Sequence, residues 1–275
     1  MTTLAGRLLL CAFFALGLTV GAPVSAQDRS KEDPWPKLSQ MLFGERVIQE
    51  DAGNVLVLEA PDRAEDAAVV PIAIRTRLEQ KPEKYIRKIY LVIDRNPSPV
   101  GVVFTLTPDS GKADLETRVR IEEYTHVRAI AETSDGGLFM VTKFVKASGG
   151  CSAPAGKDLE AAMARLGKMK FRVDKDVTFN QPNEAQLMIS HPNISGLAMD
   201  QLTRLYPQAH YVRKIDVSYA GKTILTAEVD FTISENPNFR FYFVPRGEGE
   251  LKAEVVDTND LKFETSLAIR GGAGS

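Results

Sequence analysis

Apolar residues along this chain recur mostly at every second position, in short runs closed by turn residues. Val55–Leu58, Val69–Ile74, Ile86–Ile93, Val100–Leu106, Thr117–Ile121, Thr125–Ala131 and Phe139–Val145 have strand length and carry many β-branched or aromatic side chains. Asn96-Pro97-Ser98-Pro99, Pro108-Asp109-Ser110-Gly111 and Ser134-Asp135-Gly136-Gly137 punctuate them. Strands at this spacing over residues 34–146 predict an immunoglobulin-like β-sandwich. The pattern resumes over residues 177–270 with Ala185–Ser190, Tyr211–Tyr219, Thr223–Asp230, Phe239–Val244, Leu251–Asp257 and Leu261–Ile269. Ala220-Gly221-Lys222 reads as a tight hairpin turn between two of these runs. The predicted fold is therefore all-β, with two sandwich domains.

Two short segments break the strand period. Pro34 can open a helix with Asp33 before it, and Trp35, Leu38 and Leu42 then share one face before Gly44. Between the domains, residues 147–176 form a linker. Its first part, Ala147-Ser148-Gly149-Gly150-Cys151-Ser152-Ala153-Pro154-Ala155-Gly156, holds no bulky apolar residue and predicts a flexible exposed loop. Asp158 then caps a short amphipathic helix with Leu159, Met163 and Leu166 on one face, ended by Gly167.

The N-terminus follows neither pattern. Arg7, the apolar run Leu8 to Val20 and the small residues Val24-Ser25-Ala26 predict a signal peptide over residues 1–26, cleaved after Ala26. The run is shorter than the roughly 20 apolar residues that a membrane span needs, and the rest of the sequence offers no second candidate span. The expected product is exported to the periplasm. Cys11 leaves with the signal, so Cys151 is the one remaining thiol and has no partner for an internal disulfide.

Composition narrows the function. Of 275 residues, 34 are basic and 36 acidic, which provides no field for a nucleic-acid backbone. Three histidines and two cysteines do not make a zinc framework or a disulfide scaffold. No metal or cofactor site is expected. There is no Gly-rich phosphate loop after a strand, no nucleophile elbow and no Cys-x-x-Cys pair, and the chain is expected to be no enzyme.

Cys151 is the residue whose setting stands out. A free cysteine usually behaves as a small buried hydrophobe, but Gly149, Gly150, Ser152 and Ala153 give it no apolar cover in sequence. The two glycines predict a hinge, and Lys143, Lys146 and Lys157 would favour a thiolate if they face the sulfur. His126 reads as a core or surface strand residue, and His191 and His210 as structural loop residues able to approach Cys151 only if the halves pack together. Asn193-Ile194-Ser195 is a glycosylation sequon of the sort that arises by chance.

Several of these segments also resemble a known family. Val70-Pro71-Ile72, Lys84-Tyr85-Ile86-Arg87-Lys88-Ile89, Asn96-Pro97-Ser98-Pro99-Val100, Ala131-Glu132-Thr133-Ser134-Asp135-Gly136 and Gly149-Gly150-Cys151 resemble SoxY, a periplasmic sulfur-oxidation carrier. Ile189-Ser190-His191-Pro192, Ser195-Gly196, Ala209-His210-Tyr211-Val212-Arg213-Lys214, Asn236-Pro237 and the aromatic strand from Phe239 resemble SoxZ. The whole is similar to the fused SoxYZ-like carriers associated with quinoprotein dehydrogenases. The resemblance implies that Cys151 carries sulfur intermediates covalently on an arm hinged at Gly149 and Gly150. It also implies partner redox enzymes, namely cytochromes and a quinoprotein dehydrogenase. Unlike SoxY, this chain continues past the cysteine through Ser152-Ala153-Pro154, so the arm is tethered at both ends and reaches less far. The fused halves are expected to stay docked as a monomer, with a Cys151-linked dimer as a further expectation. The rival reading is a non-covalent module that docks a periplasmic dehydrogenase or cytochrome, and a thiol oxidoreductase lacks a resolving cysteine.

Overall fold

Alternating side chains place one face of each strand inward, and in the computed structural model the inward faces meet between two sheets. The structure describes residues 32–51, 53–154, 159–174, 176–200 and 203–270. The expected signal peptide lies outside the described residues. The first half contains α1 (Trp35–Phe43) and strands β1 (Ile48–Glu50), β2 (Leu56–Glu59), β3 (Val70–Thr76) and β4 (Ile86–Ile93). It continues with β5 (Val100–Leu106), β6 (Leu115–Val119), β7 (Thr125–Thr133) and β8 (Leu138–Val145). The second half contains α2 (Leu159–Met163), β9 (Met169–Val173), β10 (Asn183–Ile189) and β11 (Val212–Tyr219). It ends with β12 (Lys222–Val229), β13 (Asn238–Phe243), β14 (Gly249–Asp257) and β15 (Lys262–Ile269).

The larger sheet runs β1-β8-β7-β4-β5-β12-β11-β14-β15, and the smaller runs β2-β3-β6-β13-β10-β9. Each half supplies strands to both layers, as the sandwich pattern predicts. The halves also share both sheets. β5 pairs antiparallel with β12, setting Phe104 opposite Ala227 and Leu106 opposite Leu225. β6 meets β13 at Glu116 and Arg240. An edge strand leaves backbone donors and acceptors unpaired, and here the edges of the two halves satisfy one another. One hydrophobic core consequently runs through both, from Leu56 and Ile89 to Phe241 and Val255.

Local chemistry explains the main departures from plain alternation. In β7 every residue except His126 is buried, because α1 covers the sheet's outer face. Leu38 and Phe43 of α1 pack with Val92, Ile130 and Met140 there, while Val127, Ala129 and Ala131 face the main core. Arg128 stacks over Trp35 at 4.3 Å and pairs with Asp94 at 2.8 Å. The β11–β12 hairpin turns at Ala220 and Gly221, with φ of 48° and 78°, the two left-handed residues of a type I′ turn. No helix among the described residues is long and apolar enough to cross a membrane.

Candidate functional site

The Gly149-Gly150-Cys151 segment leaves β8 and lies along the residues that leave β6. The Gly149 N–H donates to the Glu122 carbonyl at 2.8 Å and the Gly150 N–H to the Ile121 carbonyl at 2.9 Å. Ile121 in turn donates to the Ala67 carbonyl at 2.8 Å. A Cβ on Gly150 would overlap that carbonyl oxygen and stand 2.8 Å from the Ile121 nitrogen. In this arrangement Gly150 is therefore needed for close approach of three backbones. Gly149 has φ +80° and open space where a side chain would be.

Glu122 closes the segment. Its Oε2 accepts hydrogen bonds from the backbone N–H groups of Cys151 at 2.8 Å and Ser152 at 3.0 Å. Its Oε1 accepts from the Ser152 hydroxyl at 2.8 Å. From the other side, the Ser195 hydroxyl donates to the Cys151 carbonyl at 2.7 Å. Both backbone polar groups of Cys151 are thus satisfied, and the residue has 0% relative exposure.

These contacts correct the expectation of an exposed, mobile thiol. Over residues 149–152 the chain is pinned rather than free, with Gly150 and Cys151 buried. The segment forms neither strand nor helix, but its small residues let backbones touch and so permit burial where exposure was expected. The partners come from distant positions, with Glu122 29 residues away and Ser195 44. Residues 155–158, including Lys157, lie outside the described residues.

The electrostatic expectation is also reversed. Burial pushes the Cys151 thiol up to about 12, the Glu122 carboxylate adds to the rise, Arg120 opposes it and Asp230 adds again. Lys143 pairs instead with Asp62 at 3.3 Å. A thiol so placed is neutral at ordinary pH and resists both oxidation and alkylation.

His191 and His210 do come together, though on Asp257. His210 Nε2 stands 2.7 Å from Asp257 Oδ2, while Asp257 Oδ1 accepts the N–H groups of Asn259 and Leu261, each at 2.9 Å. His191 Nε2 is 3.5 Å from the same Oδ2 and makes no hydrogen bond. Burial, and then the neighbouring His210, lower His191 to about 4. Burial works against the Asp257 charge, yet hydrogen bonds from His210, Leu261 and Asn259 hold it below the usual carboxylate value.

One ligand atom from each of His191, His210 and Asp257 lies within 4.8 Å of the others, a spacing compatible with a metal. The tautomer argues against one. His191 Nδ1 accepts the Asn193 N–H at 3.0 Å, so a neutral ring carries its proton on Nε2. A ligating imidazole needs the opposite, a lone pair toward the metal and an N–H toward its support. The trio instead ties the 191–195 loop to the end of β14, and that loop delivers Ser195 to Cys151. Asn193 is fully buried in the same loop, bonded to the carbonyls of Ile233 and Ser234. His126 is exposed on β7 against Phe144.

Sequence reasoning missed Glu122, Arg120 and Asp257. Glu122 sits in an ordinary acidic pair, Glu122-Glu123, with nothing local to mark it. Arg120, just past β6, is misplaced by alternation, which sets it on the face opposite Val119 and Ile121, yet it is buried.

Two family matches cover most of the described chain. Residues 39–151 match the family described as sulfur oxidation protein SoxY, and the match ends on Cys151 itself. Residues 171–268 match sulphur oxidation protein SoxZ. By these two matches the chain belongs to the sulfur-oxidation carrier proteins. Within that class it is a fused SoxYZ-like protein, SoxY followed by SoxZ in one polypeptide.

Among solved structures, the sulfur carrier protein SoxY from Chlorobium limicola f thiosulfatophilum is 23% identical, covering 42% of this chain and 91% of that one, with a TM-score of 0.35. A superoxide reductase (neelaredoxin) from Ignicoccus hospitalis is 18% identical over 38% of this chain and 97% of its own, with a TM-score of 0.33. Likenesses at these scores carry no argument about function. No curated protein matches the chain.

Proposed function

We propose that this protein is an exported periplasmic carrier that holds a sulfur-containing group covalently on Cys151. It would present that group to partner redox enzymes, among them a quinoprotein dehydrogenase and its cytochrome. The observation that supports the reading is the clasp on Cys151. The residue sits in no strand. It ends a segment of small residues held largely by one half-exposed carboxylate, with Ser152 and Pro154 exposed beside it. The buried thiol is then the stored form, and release of Glu122, with rotation at Gly149 and Gly150, is the loading form. Each hydrogen bond broken on opening is replaced by one to water, at a net cost of about 1 kcal/mol for a neutral pair and more for one to a carboxylate.

In the open form the Cys151 thiol loses its proton to solvent and the thiolate attacks the divalent sulfur of a donor R–S–X. The new S–S bond forms as the S–X bond breaks, and X leaves with the electron pair. A partner's nucleophile reverses the exchange by attacking the carried sulfur and returning the Cys151 thiolate. Oxidation of the carried group belongs to the partners; this chain supplies attachment and shelter. Intact-mass measurement on protein taken from its native periplasm tests this, with an added group on Cys151 expected during growth on a sulfur substrate. An unmodified mass under every condition, with normal growth of the Cys151→Ala strain, overturns it.

Burial of the thiol favours a second reading, in which Cys151 only packs and the sheets form a non-covalent docking module for the dehydrogenase or cytochrome. Undiminished co-purification of that partner with Cys151→Ser, together with a permanently unmodified thiol, would select this reading. A Cys151-linked dimer requires the same opening as the carrier.

A further inference from the structure

The smaller sheet is thin where the two halves join. β6 and β13 share the register pair Glu116–Arg240, and the next bridge along the seam, Val119–Ile233, lies beyond Arg118. On the outer face of this sheet two cavities of about 550 and 350 Å³ adjoin, with Arg118 and Asn238 on the lining of both. Each has the volume of a ligand site, roughly 300–1,000 Å³. The larger lies mainly on the first half, over Ala60, Pro61, Pro71 and Ala73. Its charges are matched locally. Arg75 pairs with Glu116 and Glu59, and Arg240 stands 3.5 Å from Glu116 and 3.8 Å from Glu184.

The smaller cavity differs. Arg118, Arg165, Met188, Ser190 and Asn236 are among the residues that line it, and no carboxylate is. Arg118 sends Nη2 to the Asn236 carbonyl at 3.0 Å, while its covered Nε has no acceptor. The register then carries the same face outward, from Met188 to Lys170 and from Gln186 to Arg172. Both β9 cations are exposed, with Phe171 between them turned to the core. Among the described residues, Arg118, Arg165, Lys170 and Arg172 form no ion pair. The chain has 36 acidic residues against 34 basic ones, so a cluster of four cations without a carboxylate is not a consequence of composition.

We propose that this trench across the seam seats an extended acidic segment of a partner protein, with carboxylates at Arg118 and Arg165 and neutral residues along Pro71 and Ala73. Arginine forks match carboxylates in bidentate fashion, and clusters of them are a recurrent means of holding acidic motifs. Lys170 and Arg172 add attraction from the flank. The net charge of −2 gives no broad field for a polyanion, and the neutral floor of the larger cavity suits a peptide rather than a phosphate backbone. Both halves line the trench, so neither forms it alone, and the proposal is independent of Cys151.

Fluorescence anisotropy on the full mature chain at low salt tests the proposal, with fluorescein-labelled peptides of four glutamates joined to four alanines in either order. One order should bind about tenfold or more tightly than the same peptide with glutamines, as a charged hydrogen bond predicts, and more tightly than bare tetraglutamate. Arg165→Glu, at an exposed position, should cost about tenfold or more, and Arg118→Gln about tenfold. Arg213→Glu makes the same change of net charge on β11 of the other sheet, where Arg213 pairs with Asp260, and should cost much less. Cys151→Ser should bind as wild type does. Glutamine peptides binding equally, or equal losses in Arg165→Glu and Arg213→Glu, overturn the proposal. So does tetraglutamate binding as tightly as the longer peptides, or an oligothymidylate of four phosphates displacing the peptide as well as unlabelled peptide does.

Discussion

The carboxylate of Glu122 accepts the backbone N–H of Cys151 at 2.8 Å and, by its charge, makes the thiol of that same residue harder to ionise. One side chain thus holds the cysteine in place and adds its charge to the burial that keeps the thiol neutral. Glu122→Gln keeps the length of the side chain and removes the charge. The expected result is a Cys151 pKa below its wild-type position of about 12 and alkylation by iodoacetamide at least tenfold faster at pH 8, as loss of a charged hydrogen bond of about 1.5–3 kcal/mol predicts. Rates equal to wild type would show that Glu122 does not control access.

Gly150→Ala tests the close approach of backbones. The new methyl collides with the Ala67 carbonyl, and backbone has little freedom to move aside. The loop should lift while the sheets remain, so that thiol labelling rises and the thermal midpoint drops modestly. Gly149→Ala meets no atom but forces alanine to φ +80°, which costs about 1 kcal/mol; it should label less readily than Gly150→Ala.

The thiol also has a signature at high pH. Its folded pKa, about 12, exceeds the ordinary value of 9.0. Below pH 9 both folded and unfolded chains carry the proton. Between 9 and 12 the unfolded chain loses it while the folded chain keeps it, so stability falls as pH rises through that window. Cys151→Ala should remove this part of the alkaline decline in denaturant titrations, and an unchanged slope would contradict the buried, neutral thiol.

His191 gives the opposite sign at the acid end. Its folded value near 4 lies below the ordinary 6.5, so from pH 6.5 down to 4 the unfolded chain gains a proton that the folded chain refuses. Stability is therefore lost as pH falls through that window. Asp257, lowered as well, adds loss below about 4. His191→Gln should flatten thermal midpoints between pH 6.5 and 4, though starting from a lower midpoint at pH 7.

Phe104 of β5 packs edge-on against Phe239 of β13, with ring centroids 5.9 Å apart, so each half buries a ring against the other. Phe104→Ala should destabilise the protein by about 3–5 kcal/mol. Calorimetry should still record one transition for both halves. Two separated transitions would mean that the shared sheets do not couple the halves.

Much of the fold was legible because strand alternation is a local property. The seven runs of the first half and the Ala220-Gly221 turn reappear nearly in place. β9 was overlooked although Met169, Phe171 and Val173 alternate with Lys170 and Arg172, and β1, at three residues, is too short to show a period. The pairing of β5 with β12 was not legible, since nothing in either strand names its edge partner. For the site, the glycines and Cys151 were legible as a special segment. Their burial was not, because it depends on Ala67, Glu122 and Ser195, which only the folded chain brings together.

The shared sheets give the covalent link between the halves a limited role. A protease cut between Pro154 and Leu159 would release no fragment, because the ladder from Val102–Leu106 to Leu225–Val229 spans the junction independently of the connecting peptide. The nicked pieces should elute together as a one-to-one heterodimer, and the peptide bond between them fixes stoichiometry while the hydrogen-bonded strands fix shape.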